Sequence, residues 1–297
     1  VGCLLAVQAS VNQQLNRAVG TPYGASTLQL SVAAGALTLA ALVTGALGAV
    51  RAVDDATHWW LLLGGVASPV YITAGILLFP RLGAVSSVGL FVTGQVFASI
   101  ALDLFGVLAV PQRALDVGIV VGALAVLSGI TAVIRGQRSG PAGAGGRRAG
   151  WVLLGLVAGA VLPVQGAVNA QLRRDVTEPL AVGTISFVVA TLTIAVVLVV
   201  LLAAGRTSTP QLRALPSMPW WGWLGGLCAA AYVVTTFLVL PRIGAAVTVA
   251  LTVTGQQVAS ALVDQRGWFR MPRRPLTAPR FAGIGLLVAG SALVQLA

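Results

Sequence analysis

Polar positions are sparse along this chain, and apolar residues run in long unbroken stretches. Ten stretches approach the roughly 20 apolar residues that carry an α-helix across a hydrocarbon core about 30 Å thick. They fall at residues 1–19, 24–49, 59–79, 84–104, 114–134, 151–172, 179–204, 221–240, 245–264 and 280–296. The runs are continuous rather than alternating at every second residue, so they predict helices and not barrel strands, the other arrangement that satisfies a backbone in lipid. All seven Trp (Trp59, Trp60, Trp151, Trp220, Trp221, Trp223, Trp268) fall near stretch ends, where an indole can bury its ring and still hydrogen-bond at the headgroups. Gly118-x-x-x-Gly122, Gly155-x-x-x-Gly159 and Gly222-x-x-x-Gly226 are spaced for close helix packing. The predicted fold class is an all-α membrane protein of ten transmembrane helices.

The pattern is stated twice. Gln8, Val11, Asn12, Gln14 and Leu15 recur 157 positions later as Gln165, Val168, Asn169, Gln171 and Leu172. Pro80-Arg81-Leu82-Gly83-Ala84 recurs 161 positions later as Pro241-Arg242-Ile243-Gly244-Ala245, and Thr93-Gly94-Gln95 with Ser99 and Asp103 recurs as Thr254-Gly255-Gln256 with Ser260 and Asp264. A period this long is a domain duplication. Residues 1–134 form one five-helix repeat, the Gly- and Arg-rich segment 135–149 a linker, and residues 150–297 the second repeat. Five is odd, so the second repeat enters the membrane inverted.

Composition narrows the setting. Hydrophobic residues make up 57% of the chain and charged residues 8%, with a mean hydropathy of +0.94; a soluble surface needs far more charge. The net charge of +11 would suggest a nucleic-acid partner were it not distributed by side. With ten spans, thirteen of the 18 Arg fall on the side of the linker, and only Arg51, Arg113, Arg173, Arg174 and Arg242 fall on the other. That is the positive-inside bias of a multi-pass membrane protein. It places the linker in the cytoplasm and both termini outside, and it explains the charge with membrane lipids as the surroundings and no nucleic acid. The chain begins at Val1 inside an apolar run, which leaves room for a preceding segment.

The Q-A-x-x-N-x-x-L pattern at Gln8 to Leu15 with its copy at Gln165 to Leu172, the P-R-[LI]-G-A turn and the T-G-Q-x-x-A-S-x-x-x-D segment resemble the YdcZ-like family of bacterial inner-membrane proteins, in its fused two-half form. The family lies within the drug/metabolite transporter superfamily. The resemblance covers both halves and implies a ten-helix antiparallel transporter fold, a central cavity between the halves, and export. Ten-helix relatives elsewhere in that superfamily usually keep both termini cytoplasmic, whereas the Arg distribution of this chain predicts the reverse.

The polar residues limit the chemistry. Seven acidic residues, one His and two Cys offer no metal-ligand spacing, no nucleophile elbow and no phosphate-binding loop, so no cofactor, metal or catalytic residue is expected. His58 beside Trp59 reads as interfacial. Gln8 and Asn12 share one helical face, as do Gln165 and Asn169, and Pro163 is expected to loosen the helix beside Gln165. Two stripes at a spacing of four, Ser87, Phe91, Gln95, Ser99, Asp103 and Thr252, Gln256, Ser260, Asp264, give a second polar face in each half. The six amides Gln8, Asn12, Gln95, Gln165, Asn169 and Gln256 either hydrogen-bond helices together or line a substrate cavity near a pseudo-twofold axis, where their repeat-related pairs would approach. Arg81 and Arg242 either neutralise the carbonyl ends of the preceding helices or recognise an anion. Asp103 and Asp264 are either helix caps or gating groups, with proton or ion coupling left open. The expected function is a secondary transporter exporting a small polar or amphipathic, and conceivably cationic, molecule by alternating access. A non-transporting scaffold and a membrane enzyme acting on a lipid carrier are the alternatives. The sequence is silent on oligomeric state.

Overall fold

The computed structural model describes residues 1–53, 58–136, 145–243 and 245–297. Ten α-helices are found there: α1 (Gly2–Val19), α2 (Pro22–Val43), α3 (Ala67–Leu82), α4 (Ala84–Phe105), α5 (Val117–Arg135), α6 (Gly145–Asp175), α7 (Pro179–Ala203), α8 (Leu224–Ile243), α9 (Ala245–Arg266) and α10 (Ala278–Leu296). Several of them differ from the apolar pattern at an end. The run at 24–49 stops as α-helix at Val43, because Gly45 takes a left-handed φ of 77° and starts a 3-10 segment. A left-handed residue ends the i→i−4 ladder. The run at 59–79 opens as a 3-10 segment, Trp59–Val66, before α3 begins. α6 passes Pro163 without a break, although proline brings no N–H to the helix ladder there. The linker reading falls largely on residues 137–144, outside the described residues, while 145–149 already belong to α6.

Burial is inverted relative to a water-soluble protein. Gln8, Asn12, Gln13, Gln14, Gln29, Gln256 and Gln257 are all at most 4% exposed, whereas Leu39, Leu42, Leu192, Val196 and Val199 are 61–62% exposed. Such a surface is stable against hydrocarbon, which gains nothing from burying Leu but cannot solvate an amide. Several interior hydroxyls are satisfied inside their own helices: Ser10 donates to Ala6 O, Thr93 to Gly89 O, Thr191 to Phe187 O and Thr254 to Ala250 O, each at 2.7–2.8 Å. Seven helical segments among the described residues are long and apolar enough to cross a bilayer: 22–43, 59–82, 84–105, 117–135, 149–175, 179–203 and 278–296.

Packing follows the duplication. α1 lies against α8 and α9, and α6 lies against α3 and α4, while α2 pairs with α7 and α5 with α10. Glycines set the closest approaches, and each contact recurs in the other half. On α5 and α10, Gly122 faces the backbone of Gly290, and Gly129 faces that of Gly283. Gly94 on α4 meets the carbonyl of Leu156, and Gly159 on α6 meets the carbonyl of Phe91; Gly255 on α9 and Gly2 on α1 repeat the pair against Cys3 N and Thr252 O. A side chain at any of these positions would collide with backbone, so small residues here let helices touch where lipid offers no hydrophobic drive. The spacing rule found Gly122 and Gly159. It missed Gly129, Gly283 and Gly290, whose partners lie on a distant helix rather than four residues away.

Candidate functional site

At one end of the bundle the halves are tied together through their connections. Gln14 donates to Phe269 O at 2.8 Å, Arg17 to Arg270 O at 3.3 Å, and Gln211 N to Val19 O at 2.9 Å. Thr21 and Thr207 share a hydrogen bond of 2.9 Å. Arg274 donates to Pro80 O at 2.9 Å. The centre of this closure is Asp264 at the end of α9. Its Oδ1 accepts from Ala84 N at 2.8 Å and its Oδ2 from Val85 N at 3.2 Å, so it caps the first turn of α4 in the other half. There a carboxylate meets two unpaired amides and the positive end of the helix. Arg280 on α10 reaches the same Oδ2 at 2.6 Å, and both side chains are at most 2% exposed. Thr277 Oγ1 donates to Gly136 O at 3.1 Å, which brings the end of α5 to this closed end.

Between the halves, and away from that end, lies a cavity of about 500 Å³ lined by α1, α3, α6, α7 and α8. One wall is polar and internally bonded: Gln165 Nε2 donates to Ser68 Oγ at 2.8 Å and to Ser186 Oγ at 3.4 Å, and Asn169 Nδ2 donates to Ser186 Oγ at 3.1 Å. Gln8 faces the space from α1, 3% exposed, and its Oε1 has no hydrogen-bond partner among the described residues. Tyr232 and Thr236 stand one turn apart on α8, and Tyr71, Ile72, Leu162 and Phe187 complete an apolar wall. Arg173 and Arg174 line the far end, at the last turn of α6. The size is that of a site for a small organic molecule, and a mostly apolar wall with a few converging polar groups is the usual composition.

The structure brings three of the six amides, Gln8, Gln165 and Asn169, to this cavity, and none of its lining comes from α4 or α9. Asn12 rests its Oδ1 on Gly225, as Asn169 rests its Oδ1 on Gly64 in the other half. Each Asn therefore packs against the third helix of the opposite repeat, and the two do not meet. Gln256 is buried with neither side-chain atom bonded among the described residues, and Gln95 is partly exposed. The stripes on α4 and α9 point into helix contacts, because Gly94 and Gly255 put those faces against α6 and α1. Ser68 and Ser186, which hold the amides in place, carried no signal in the sequence. Arg81 donates to Leu77 O at 2.6 Å, four residues back, and lies 4.3 Å over the Trp151 ring, which is the helix-end arrangement. Arg242 is exposed, and its partner in the turn, Gly244, lies outside the described residues. Asp103, the counterpart of Asp264, is only partly buried, and Arg113 N donates to its backbone carbonyl at 2.8 Å just as Arg274 N does to that of Asp264 at 2.7 Å.

Comparison with known proteins places this architecture. The family model described as "Putative inner membrane exporter, YdcZ" matches residues 1–132 and again 150–293. The chain belongs to this family. It is a multi-pass inner-membrane protein of an exporter family, and the two matched stretches divide it where the duplication does. A solved crystal structure aligns over 99% of this chain and 96% of its own length, with a TM-score of 0.60 and 16% identity. That likeness is one of fold. No curated protein matches the chain.

Proposed function

We propose that this family member is a secondary transporter, not an enzyme, whose ten helices all span the membrane as two inverted five-helix repeats, and that it moves a small polar or amphipathic molecule outward by rocking the repeats about the cavity. The observation that carries this reading is the pairing of a cavity between the halves with a dense closure at one end, where Gln14, Arg17, Thr21, Arg274 and Asp264 all bond across, against the bond of Gln171 to Leu108 O at the other. The reciprocal packing supports it, since α1 on α8 and α9 mirrors α6 on α3 and α4, as an inverted repeat requires. α1, α8 and α9 then complete the ten spans; α1 owes its low hydropathy to the amides it buries.

In this reading the structure is one of two related states. Arg17 and Arg174 occupy matching places in the repeats; Arg17 is bonded across the closed end, and Arg174 stands exposed beside the cavity mouth. When the repeats rock, Asn12 and Arg17 take over the places of Asn169 and Arg174, and Asp103 caps α9 as Asp264 now caps α4. The closed end is the linker end and so, by the Arg distribution, the cytoplasmic one. The substrate site comprises Gln8, Gln165 and Asn169 in this state and, by exchange of the repeats, Gln165, Gln8 and Asn12 in the alternate one, while Gln95 and Gln256, on α4 and α9, are assigned to helix packing. Asp103 and Asp264 act as gates, supported by Arg81 and Arg242 in the adjoining turns.

Two measurements follow. Truncating Gln165 or Asn169 to Ala removes hydrogen bonds worth about 0.5–1.5 kcal/mol each, so transport KM is expected to rise roughly threefold to tenfold, with Asn12→Ala acting in the same direction. A lower melting temperature with an unchanged KM would assign these amides to helix packing alone. Orientation is tested by a reporter fused within residues 139–146, expected to read cytoplasmic, and one after Ala297, expected to read periplasmic; a cytoplasmic C-terminus would reverse the assignment of the open face.

A further inference from the structure

Resting on the reading of the cavity as the substrate site, we propose that it selects against cations and takes a small amphipathic solute whose polar end is neutral or anionic. Cation exporters need a counter-charge within the membrane, because an ammonium taken out of water is stable only beside a carboxylate or in a dense field of carbonyls. The described lining of this cavity holds no Asp or Glu. Asp264 is committed to Arg280 and the α4 amides at the closed end. Asp103 does not line the space, nor do Asp175 and Glu178, which are exposed in the turn after α6. The ionised groups that do line it are Arg173, which already has a partner, and Arg174, exposed and of the wrong sign for a cation and the right one for a carboxylate.

The deeper polar groups agree. Amides and hydroxyls carry both donors and acceptors, so Gln8, Gln165, Asn169 and Ser186 can pair with a carboxamide, a hydroxyl or a carboxylate without any charge of their own. Gln8, in the lining, has a buried Oε1 with no protein partner among the described residues. The opposite wall, with Tyr71, Phe187 and Tyr232, suits an aromatic or branched apolar body. Polar end and apolar body thus have separate walls, and the charge that Arg174 presents to them is positive.

A matched series with one ring and chain separates the charges: 3-phenylpropionate, 3-phenylpropionamide and 3-phenylpropylammonium, titrated by calorimetry against the full chain purified in detergent. The carboxylate and the amide are expected to bind saturably, and the ammonium at least about tenfold more weakly. Gln165→Ala should weaken the carboxylate and the amide together. Arg174→Gln should weaken the carboxylate and leave the amide unchanged, which separates a charge effect from a folding defect. Ammonium binding as tight as the carboxylate would overturn the charge selectivity while leaving the cavity as substrate site. Saturable binding of none of the three by folded protein would overturn both.

Discussion

Asp264→Ala should be the most damaging single change to a charged residue, lowering stability by about 3–5 kcal/mol. The carboxylate satisfies two amides at the start of α4 and the only buried ion pair among the described residues. Removing it leaves Arg280, 2% exposed, with a charge that the carbonyls of Arg274 and Pro275 alone must solvate. The double variant Asp264→Leu/Arg280→Met is expected to recover most of the loss, since breaking a buried pair costs more than replacing it by apolar side chains. Asp103→Ala, at a partly exposed carboxylate, should cost less than about 1 kcal/mol. Unfolding of the three variants by denaturant in detergent provides the comparison, and equal stability of Asp264→Ala and Asp103→Ala would remove Asp264 from its place as the latch.

Gly94→Val should prevent α4 from seating on α6. A Cβ at Gly94 would run into the carbonyl of Leu156, and one at Gly159 into that of Phe91, so neither helix can yield by turning a side chain. Overpacking typically costs about 1–3 kcal/mol; here the obstacle is backbone on both sides, and the expected outcome is loss of folded protein on size-exclusion chromatography. Gly166→Val, where a Cβ meets nothing, is the control and should purify normally. A folded Gly94→Val with the melting temperature of the parent would contradict the packing described between the halves.

The duplication was legible because its markers are polar residues and turn glycines standing against an apolar background, and these are also the residues the fold uses. Gln14 and Gln171 belong to the repeated pattern, and each bonds a connection of the other half, at Phe269 O and Leu108 O. Those connections carry positive φ at non-glycine residues, 57° and 56°, a costly backbone state that the amides help to hold. The site was legible only in part. Gln8, Gln165 and Asn169 share helical faces that periodicity reveals, but Ser68 and Ser186 are single hydroxyls in apolar runs, and only tertiary packing brings them to Gln165. Helical periodicity also gave Gln95 and Gln256 a polar face without saying what that face meets, and glycines directed it to neighbouring helices rather than the cavity. The unequal fates of Asp103 and Asp264 escape a comparison of the repeats because both lie in the same motif. What separates them is Arg280, whose counterpart in the first half is Ile119, a difference outside the motif. The early end of α2 escaped hydropathy as well, since Gly45 acts through φ and not through polarity.

Closure at one end with access from the other is the central claim, and a cross-link across the closed end tests it without knowledge of the substrate. Thr21 and Thr207 lie on opposite halves with their hydroxyls 2.9 Å apart, so Thr21→Cys/Thr207→Cys, in a background with Cys3 and Cys228 replaced by Ala, allows a disulfide to hold the described state. A third cysteine at Ala170, which is exposed and lines the cavity, reports on it through labelling by a membrane-impermeant maleimide in right-side-out and inverted vesicles, read on the peptide that carries residue 170 so that the reduced thiols at 21 and 207 do not count. With the disulfide formed, Ala170→Cys should label from the periplasmic face and be protected from the cytoplasmic face; after reduction it should label from both. Equal labelling from both faces in the oxidised protein, or protection from both in the reduced protein, would contradict the account.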